Sequence, residues 1–293
     1  MRFPFTGVIP VDKPVGVSSR HVVDVVARAL GMKSVGHAGT LDPLASGVVV
    51  VCAGHATKLV DYLHDLTKHY NATFLLGRSS PSDDLETPVE EEVDPLRPSA
   101  AEIEAAATVF RGDILQRPCD YSAVHVDGKR AYRLARKGRP VVLESKPVRI
   151  ERLEITGYEW PRLAVEIECS SGTFVRALGR DLAESLGTKA VMESLVRTAV
   201  GPFACAASIA LDAITPETAR AAILPAGAAV AHLPSMVLAD DALASAVRGG
   251  LLQFPESSDP AVAALDPTGE LVGMLKRLES GSYRLRPNFL GEG

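Results

Sequence analysis

Runs of apolar residues along the chain predict a set of strands. Gly7 to Val11 is a short apolar run, and the uninterrupted apolar run from Val48 to Ala53 predicts a strand that is buried on both faces. Tyr70 to Leu76 alternates moderately between apolar and polar positions. Val141 to Ile155 and Leu163 to Cys169 complete the strands predicted before the last quarter of the chain.

Helical spacing and capping residues predict the helices between these strands. Val22, Val25, Val26 and Ala29 share one face of a helix that Ser18 or Ser19 caps and Gly31 ends. A capping box begins at Ser99 and a helix ends near Phe110. Three more helices are predicted to begin at Thr173 (ending at Gly187), at Thr215-Pro216, and at Asp240 as the cap.

The order of these elements predicts an α+β fold with a mixed, mostly antiparallel sheet flanked by helices. Residues 81–97 are acidic and rich in proline, which predicts a solvated loop. Asp127-Gly128 predicts a hairpin turn, followed by a short basic helix that ends at Gly138. Beyond about residue 228 we expect a separate small unit, with strands near Val262 and Leu271.

Composition excludes several classes of protein. The 293 residues are 46% apolar and 23% charged, with a net charge of −5, which suits one large or two modest globular domains. The uncharged run Ala221 to Ala239 is interrupted by prolines, so we expect no membrane span. The four cysteines form no Cys-x-x-Cys pair and the histidines follow no metal-ligand spacing. These features predict a cytoplasmic protein with reduced, buried thiols and no metal.

Charge is distributed unevenly along the chain. Residues 81–104 hold nine acidic residues against one arginine, whereas residues 111–149 hold ten basic residues against four acidic ones. Lys129 to Arg139 contains six basic residues and no acid, with Lys129, Arg133, Arg136 and Lys137 on roughly one helical face. Such a stretch is typical of a polyanion site, although a merely solvated helix face has the same pattern.

The segment Gly36 to Gly47 holds three glycines and one proline, so its backbone is tightly specified. Asp42 lies within it between apolar residues. One interpretation is a helix N-cap followed by Pro43 at the first helical position. The other is a carboxylate in an apolar cleft, which needs a cationic partner to stay ionised. Arg176, in the first turn of its predicted helix, opposes the helix dipole and is a candidate partner.

Five motifs occur in an order that resembles one family. They are Lys13-Pro14-x-Gly16-x-Ser18-Ser19, the Gly36 to Gly47 segment, Lys68-x-Tyr70, Tyr121-Ser122-Ala123, and Ser170-x-Gly172-Thr173-Phe174-Val175-Arg176. Over roughly residues 5–205 the chain resembles the TruB-type tRNA pseudouridine-55 synthases of bacteria. The resemblance implies an isomerase that detaches a uracil base from its ribose and rejoins it through C5, without cofactor or metal.

The resemblance also implies roles for individual residues. Asp42 is the nucleophilic carboxylate, Tyr70 stacks on the target base, and Arg176 pairs with Asp42. Leu195 and Lys13 are both assigned to the substrate pocket, where Leu195 forms a wall and Lys13 supports the active-site loop. Two questions stay open: whether Asp42 acts on the base or on the sugar, and whether Tyr70 or Asp42 accepts the C5 proton.

The RNA contacts implied by the resemblance lie on two segments. His37 fills the space left by a base flipped out of the tRNA T-arm. An RNA-clamping insertion covers about residues 118–147, with the basic residues Lys129, Arg130, Arg133, Arg136 and Lys137. His125 stands where a lysine is expected, and the loop around Asp83 lacks the usual ending. Residues 1–227 form the expected catalytic domain, and residues 228–293 a PUA-like domain.

We expect a tRNA-modifying enzyme that acts alone, as a monomer with no protein partner. Three alternative functions are compared with this expectation. A dyskerin-type subunit works with guide RNA, but such chains are longer and carry lysine-rich tails. A tRNA chaperone would bind and refold RNA without catalysis, leaving Asp42, Tyr70 and Arg176 idle. A glycoside hydrolase needs a second carboxylate near a motif, and the sequence offers no obvious one.

Overall fold

The computed structural model describes residues 3–290 except 123, 127, 139–140 and 255–256, without the side chains of residues 126, 129 and 130. The helices are α1 Ser19–Leu30, α2 Val60–His64, α3 Ala100–Val109, α4 Ala131–Ala135, α5 Val175–Ser185, α6 Pro216–Ala221 and α7 Asp240–Val247. The strands are β1 Gly7–Lys13, β2 Val35–His37, β3 Ser46–Ala53, β4 Lys68–Leu76, β5 Arg78–Ser79, β6 Glu90–Glu91, β7 Gly112–Gln116, β8 His125–Val126, β9 Lys129–Arg130, β10 Lys146–Glu159, β11 Arg162–Cys169, β12 Ala190–Val200, β13 Phe203–Ala204, β14 Ile209–Ala210, β15 Leu224–Pro225, β16 Ser235–Val237, β17 Ala261–Leu265, β18 Leu271–Arg277 and β19 Tyr283–Asn288.

One large sheet dominates the described part of the chain. Its main path runs β14-β1-β3-β12-β4-β11-β10-β7, with β2, β13 and β15 paired beside it. Most neighbours are antiparallel, but β1 with β14 and β3 with β12 are parallel. The predicted α+β fold with a mixed, mostly antiparallel sheet is therefore confirmed.

The large sheet separates two apolar cores, and this explains the uniform apolar sequence of β3. Val49 and Val51 face a core that also contains Val22 of α1 and Leu178 of α5. Val48 and other alternate residues of β3 face the opposite core. Because successive strand residues point to opposite faces, a strand between two cores needs apolar residues at every position.

A smaller sheet of order β16-β17-β18-β19 forms near the end of the chain. Ala263 of β17 and Met274 of β18 join the second core together with Val230. The small sheet therefore packs on the large one. No helix in the described part of the chain is long and apolar enough to cross a membrane.

Several predicted boundaries agree closely with the structure. Ser18 caps α1 by accepting a hydrogen bond from the His21 N–H at 3.2 Å, and Gly31 ends it with φ +63°. The capping box at Ser99 is present, and α3 ends at Val109 with Phe110 as its C-cap. The hairpin around Gly128 pairs β8 with β9.

Other predictions were wrong in position. Residues 141–145 precede β10 instead of belonging to it, because Val141 and Leu143 pack in a small cluster with Ala131 of α4. The helix expected to begin at Thr173 begins at Val175, where the Gln116 side chain accepts a hydrogen bond from the Phe174 N–H. The N-cap of α7 is Ala239 instead of Asp240. Cys205 is only half-buried, although all four thiols were expected to be buried. The strand β12 was not predicted from the sequence.

Two surface assignments also change. Within the segment 81–97, predicted to be solvated, Ser82 and Asp84 are buried. The basic stretch does not form one helix face, because Lys129 belongs to β9 while α4 covers only Ala131–Ala135. Lys129, which the helical pattern placed on a helix face, is part of the second strand of the β8–β9 hairpin.

Candidate active site

Four distant segments of the chain enclose a small cavity of about 130 Å³ beside the large sheet. They are the loop from β2 to β3, the strand β4, the start of α5 and the strand β12, joined by Ser122. The lining residues are Thr40, Leu41, Asp42, Tyr70, Ser122, Thr173, Phe174, Val175, Arg176 and Leu195. Four of the five predicted motifs therefore converge on one cavity, together with Leu195.

Hydrogen bonds hold the β2–β3 loop in place on both sides of Asp42. Ser19 at the start of α1 accepts a hydrogen bond from the Leu41 N–H at 2.8 Å. The Pro43 carbonyl accepts one from the Gly16 N–H at 2.7 Å. A turn closes between the Asp42 carbonyl and the Ala45 N–H at 3.1 Å. The first and second motifs thus support each other.

The Asp42 carboxylate forms an ion pair with Arg176 at the wall of the cavity. Arg176 Nη2 lies 3.0 Å from Asp42 Oδ2, with 5% of the arginine side chain and 37% of the aspartate side chain exposed. This ion pair is the one expected from the sequence, and it favours the cleft interpretation of Asp42 over the helix cap. The partly exposed carboxylate is open to a bound substrate.

Arg176 has three further partners besides Asp42. Its Nη1 lies 3.4 Å from Asp84 Oδ2 and donates to the Ser82 carbonyl at 2.7 Å, while Nη2 donates to the Tyr121 carbonyl at 3.0 Å. Burial alone would lower the pKa of Arg176, but Asp42 and Asp84 hold that pKa above its ordinary value. The guanidinium is a fixed positive charge at the cavity wall.

The pKa of Asp42 is raised above its ordinary value. Burial is the largest cause, and the negative charges of Asp84 and Glu86 add to it, while Arg176 opposes it. A carboxylate that is poorly solvated is a stronger nucleophile and base than one in water. This arrangement suits a carboxylate that reacts.

Tyr70 and Leu195 line the cavity from adjacent strands. Tyr70 is 9% exposed on β4, and Leu195 is 7% exposed on β12. Burial raises the pKa of the Tyr70 phenol, which Arg197 partly opposes. The phenol is therefore neutral near pH 7, and its ring offers a flat face to the cavity.

Lys13 is not part of the cavity wall, contrary to its assignment to the substrate pocket. It is completely buried, and its Nζ donates to the carbonyls of Pro14 and Val17 at 2.9 Å each, and also to Ala45. Burial lowers the pKa of Lys13 to about 8. The ammonium group ties the turn after β1 to the loop that carries Asp42, in agreement with the expected support of that loop.

A wider groove of about 630 Å³ continues from the cavity. It is lined on one side by Arg20 and His37 and on the other by Tyr132 and Arg136. His37 ends β2, and burial together with the nearby charge of Arg197 lowers the pKa of its imidazole. His37 is thus mostly neutral at pH 7.

The insertion carries exposed basic side chains, of which Arg136 lines this groove. Arg133 and Lys137 are exposed, and the Arg133 Nε donates to the Tyr132 hydroxyl at 3.3 Å. Arg136, also exposed, forms an ion pair with Glu86. The side chains of Lys129 and Arg130 lie outside the described part of the structure.

Sequence reasoning missed two buried charged residues next to the cavity. Asp84 lies in a run of acidic residues, where nothing distinguishes it from solvated neighbours. Arg197 is 1% exposed and lies on β12. Its one signal is a single arginine in the segment from Val191 to Val200, in which six of ten residues are apolar.

No group of histidine, cysteine or acidic residues in the described ranges is arranged to hold a metal ion. Asp83, whose role was in doubt, pairs with Arg180 at 2.9 Å, away from the cavity lining.

Comparison with known proteins identifies the family. Residues 27–175 match the N-terminal domain of the TruB family of pseudouridylate synthases, which is half of the chain. The chain belongs to the TruB family. It is a pseudouridine synthase, and all residues that line the cavity belong to the matched segment except Arg176 and Leu195, which follow it in the sequence.

Curated TruB relatives cover almost the whole chain. The tRNA pseudouridine synthase B of Gluconacetobacter diazotrophicus is 39% identical over 297 residues, 96% of each chain. That of Mycolicibacterium paratuberculosis is 39% identical over 274 residues, 92% of this chain and 93% of its own.

Solved structures agree with the family assignment. A chain in the crystal structure of a Cbf5-Nop10-Gar1 complex superposes with a TM-score of 0.74 at 26% identity, over 97% of this chain and 85% of its own. A chain in an H/ACA RNP bound to a substrate RNA containing 2'-deoxyuridine gives a TM-score of 0.71 at 26% identity, with the same coverage.

Proposed function

We propose that this enzyme converts uridine 55 in the T-loop of tRNA to pseudouridine, with Asp42 as its nucleophile. The observation that carries this proposal is the Asp42–Arg176 ion pair at the wall of the cavity. The two relatives named above are tRNA pseudouridine synthases B, which supports tRNA as the substrate.

The reaction breaks the bond between N1 of uracil and C1′ of ribose and forms one between C5 and C1′. The proton lost from C5 is balanced by one gained at N1, so the product is an isomer and no electrons are exchanged. Asp42 either adds to the base or attacks C1′, and both routes begin from its carboxylate form. Arg176 keeps that carboxylate charged and aimed, and the apolar wall at Leu195 limits access of water to the intermediate.

A uridine must leave its stack to reach the cavity, which costs a few kcal/mol. We propose that Tyr70 stacks on the extruded base and that His37, at the adjoining groove, occupies the vacated space. The basic residues of the insertion then contact RNA phosphates on the far side of the groove. We propose the same role for Lys129 and Arg130, because they lie in the same basic stretch of the sequence.

We also propose that residues 1–227 form the catalytic domain and residues 228–293 a PUA-like domain. The separate small sheet supports this division. We further propose that the chain acts as a monomer without a guide RNA or protein partner. Incubation of the purified protein with an unmodified tRNA transcript tests whether a guide RNA or a protein partner is needed. Product formed by the protein alone excludes an obligatory partner of either kind.

The Asp84→Asn substitution is expected to move the acidic edge of the pH–rate profile to lower pH. The rate falls when Asp42 gains a proton, and the charge of Asp84 helps to raise the pKa of Asp42. Removing that charge lowers the pKa, so the carboxylate persists at lower pH. Single-turnover rates across the mildly acidic range measure the edge, with Glu217→Gln as a distant control. An edge that stays in place or moves upward contradicts this explanation.

Replacing both Arg133 and Arg136 by alanine is expected to weaken tRNA binding and to flatten its dependence on salt. Each lost phosphate contact reduces the slope of log K against log salt by roughly 1. The Arg136–Glu86 pair is largely exposed, so releasing Arg136 to RNA costs little. Filter binding at several salt concentrations measures the slope. The control is the pair Arg78→Ala and Arg162→Ala, and an unchanged slope removes Arg133 and Arg136 from the interface.

A further inference from the structure

Arg197 is a buried cation without an acidic partner. Its side chain is 1% exposed, and no carboxylate lies within ion-pair distance of it in the described part of the chain. Lys13 and His37 are close enough for its charge to lower the pKa of each. Burying an unpaired charge is costly, so a side chain retained in this way needs a compensating function.

The guanidinium holds both ends of the segment that carries Asp42. Its Nε donates to the Val48 carbonyl at 2.8 Å, and its Nη2 donates to the Gly39 carbonyl at 3.1 Å. Gly39 precedes Asp42 by three residues, and Val48 follows it by six. One rigid group therefore fixes the chain on both sides of the proposed nucleophile.

Two glycines of this segment fit closely around Arg197. Gly47 has φ +103°, and a Cβ there would lie 2.2 Å from the Arg197 carbonyl oxygen. Gly39 has φ +97°, and a Cβ there would lie 3.4 Å from Arg197 Nη1. Both positions combine a backbone conformation that favours glycine with close contact to one residue.

Arg197 also lies directly opposite Tyr70. The two residues are cross-strand partners in the β12–β4 ladder, so their side chains share one face of the sheet. The Arg197 guanidinium also lies close enough to the Tyr70 phenol for its charge to oppose the effect of burial on the pKa of that phenol. Leu195, two residues earlier on β12, lines the cavity on the same face.

We propose that Arg197 is a positioning residue for catalysis, which holds the Asp42 loop and the Tyr70 side chain at a fixed separation across the cavity. Arg197 itself lines neither the cavity nor the groove. Its effect passes through the Gly39 and Val48 carbonyls and through Tyr70. The inference rests on the proposed function, because it assigns Arg197 to the geometry of the same two residues.

Arg197→Met and Arg197→Lys test this inference, with Arg162→Met on β11, two strands away from β12, as the matched control. Arg162 is 64% exposed and pairs with Glu193. Single-turnover rates at saturating tRNA are measured together with the tRNA dissociation constant. Arg197→Met is expected to slow turnover about 100-fold, the cost of misplacing reacting groups by about 1 Å, with affinity changed less than about threefold. Lysine is expected to recover part of the rate, since an ammonium group cannot reach both carbonyls as a planar fork does.

The role through Tyr70 has its own readout. The combined effect of Arg197→Lys and Tyr70→Phe on the rate is expected to be smaller than the product of the separate effects. Independent, multiplying effects overturn that part of the inference.

Each result decides the inference as a whole. A folded Arg197→Met protein with the wild-type rate, or one whose entire loss lies in affinity, overturns it. If Arg197→Met does not fold, Arg197→Lys decides, because the inference requires slower turnover at unchanged affinity and a wild-type rate contradicts it. Wild-type protein that forms no pseudouridine refutes the proposed function instead, so the two failures are distinguishable.

Discussion

Replacing Asp42 with alanine or asparagine is expected to abolish pseudouridine formation while leaving tRNA affinity within about threefold of wild type. Loss of a nucleophile lowers kcat by about 10⁴-fold or more. The fold should survive, because Arg176 keeps Asp84 and the Ser82 and Tyr121 carbonyls as partners. The side chain of Asp42 is also partly exposed, so its removal leaves no large void.

Pseudouridine in the tRNA is measured by nucleoside mass spectrometry after prolonged incubation, and affinity by filter binding. Asp113→Asn is the matched control, since Asp113 forms an exposed ion pair with Arg149. Product from Asp42→Ala at a rate near wild type contradicts the role of Asp42. Loss of tRNA binding in parallel with loss of product points to a structural role instead.

Replacing Arg176 with methionine is expected to reduce both stability and activity. The substitution leaves Asp84, which is 1% exposed, without its cationic partner. Breaking a buried ion pair from one side typically costs about 3–5 kcal/mol of unfolding free energy. Activity should fall by about 10³-fold, because the Asp42 carboxylate loses the charge that keeps it ionised and aimed.

Urea unfolding and single-turnover rates separate these two effects. In the double variant Arg176→Met with Asp84→Asn, part of the stability should return, since the fully buried charge of Asp84 is no longer left unpaired, but the activity should not. Arg162→Met, at an exposed pair, is expected to change stability by less than about 1 kcal/mol. An Arg176→Met protein as stable as wild type contradicts the proposed electrostatic network.

Local sequence signals predicted much of the fold because the interactions concerned are local. Ser18 and Gly31 bound α1 through contacts within a few residues, and the continuous apolar run of β3 reflects burial on both faces. The missed strand β12 contains charged and polar residues, among them Glu193 and Arg197, that break simple alternation. Pairing with the neighbouring strands, and not the local sequence pattern, determines that this segment forms a strand.

The same distinction explains what the sequence revealed about the site. Asp42, Tyr70 and Arg176 each lie in a motif of consecutive residues, and the structure brings all three residues to one cavity. Asp84 and Arg197 gain their importance only from distant contacts. Asp84 meets Arg176 across 92 residues of chain, and Arg197 reaches Gly39 across 158. No local pattern carries that information.

Tritium release tests the central claim most directly. Wild-type protein is incubated with unmodified tRNA that carries tritium at C5 of its uridines, and with the same tRNA in which uridine 55 is replaced by cytidine. We expect release of the tritium of a single uridine per tRNA from the first substrate and none above background from the second. No release from either, or equal release from both, would contradict the isomerisation of uridine 55 by this enzyme.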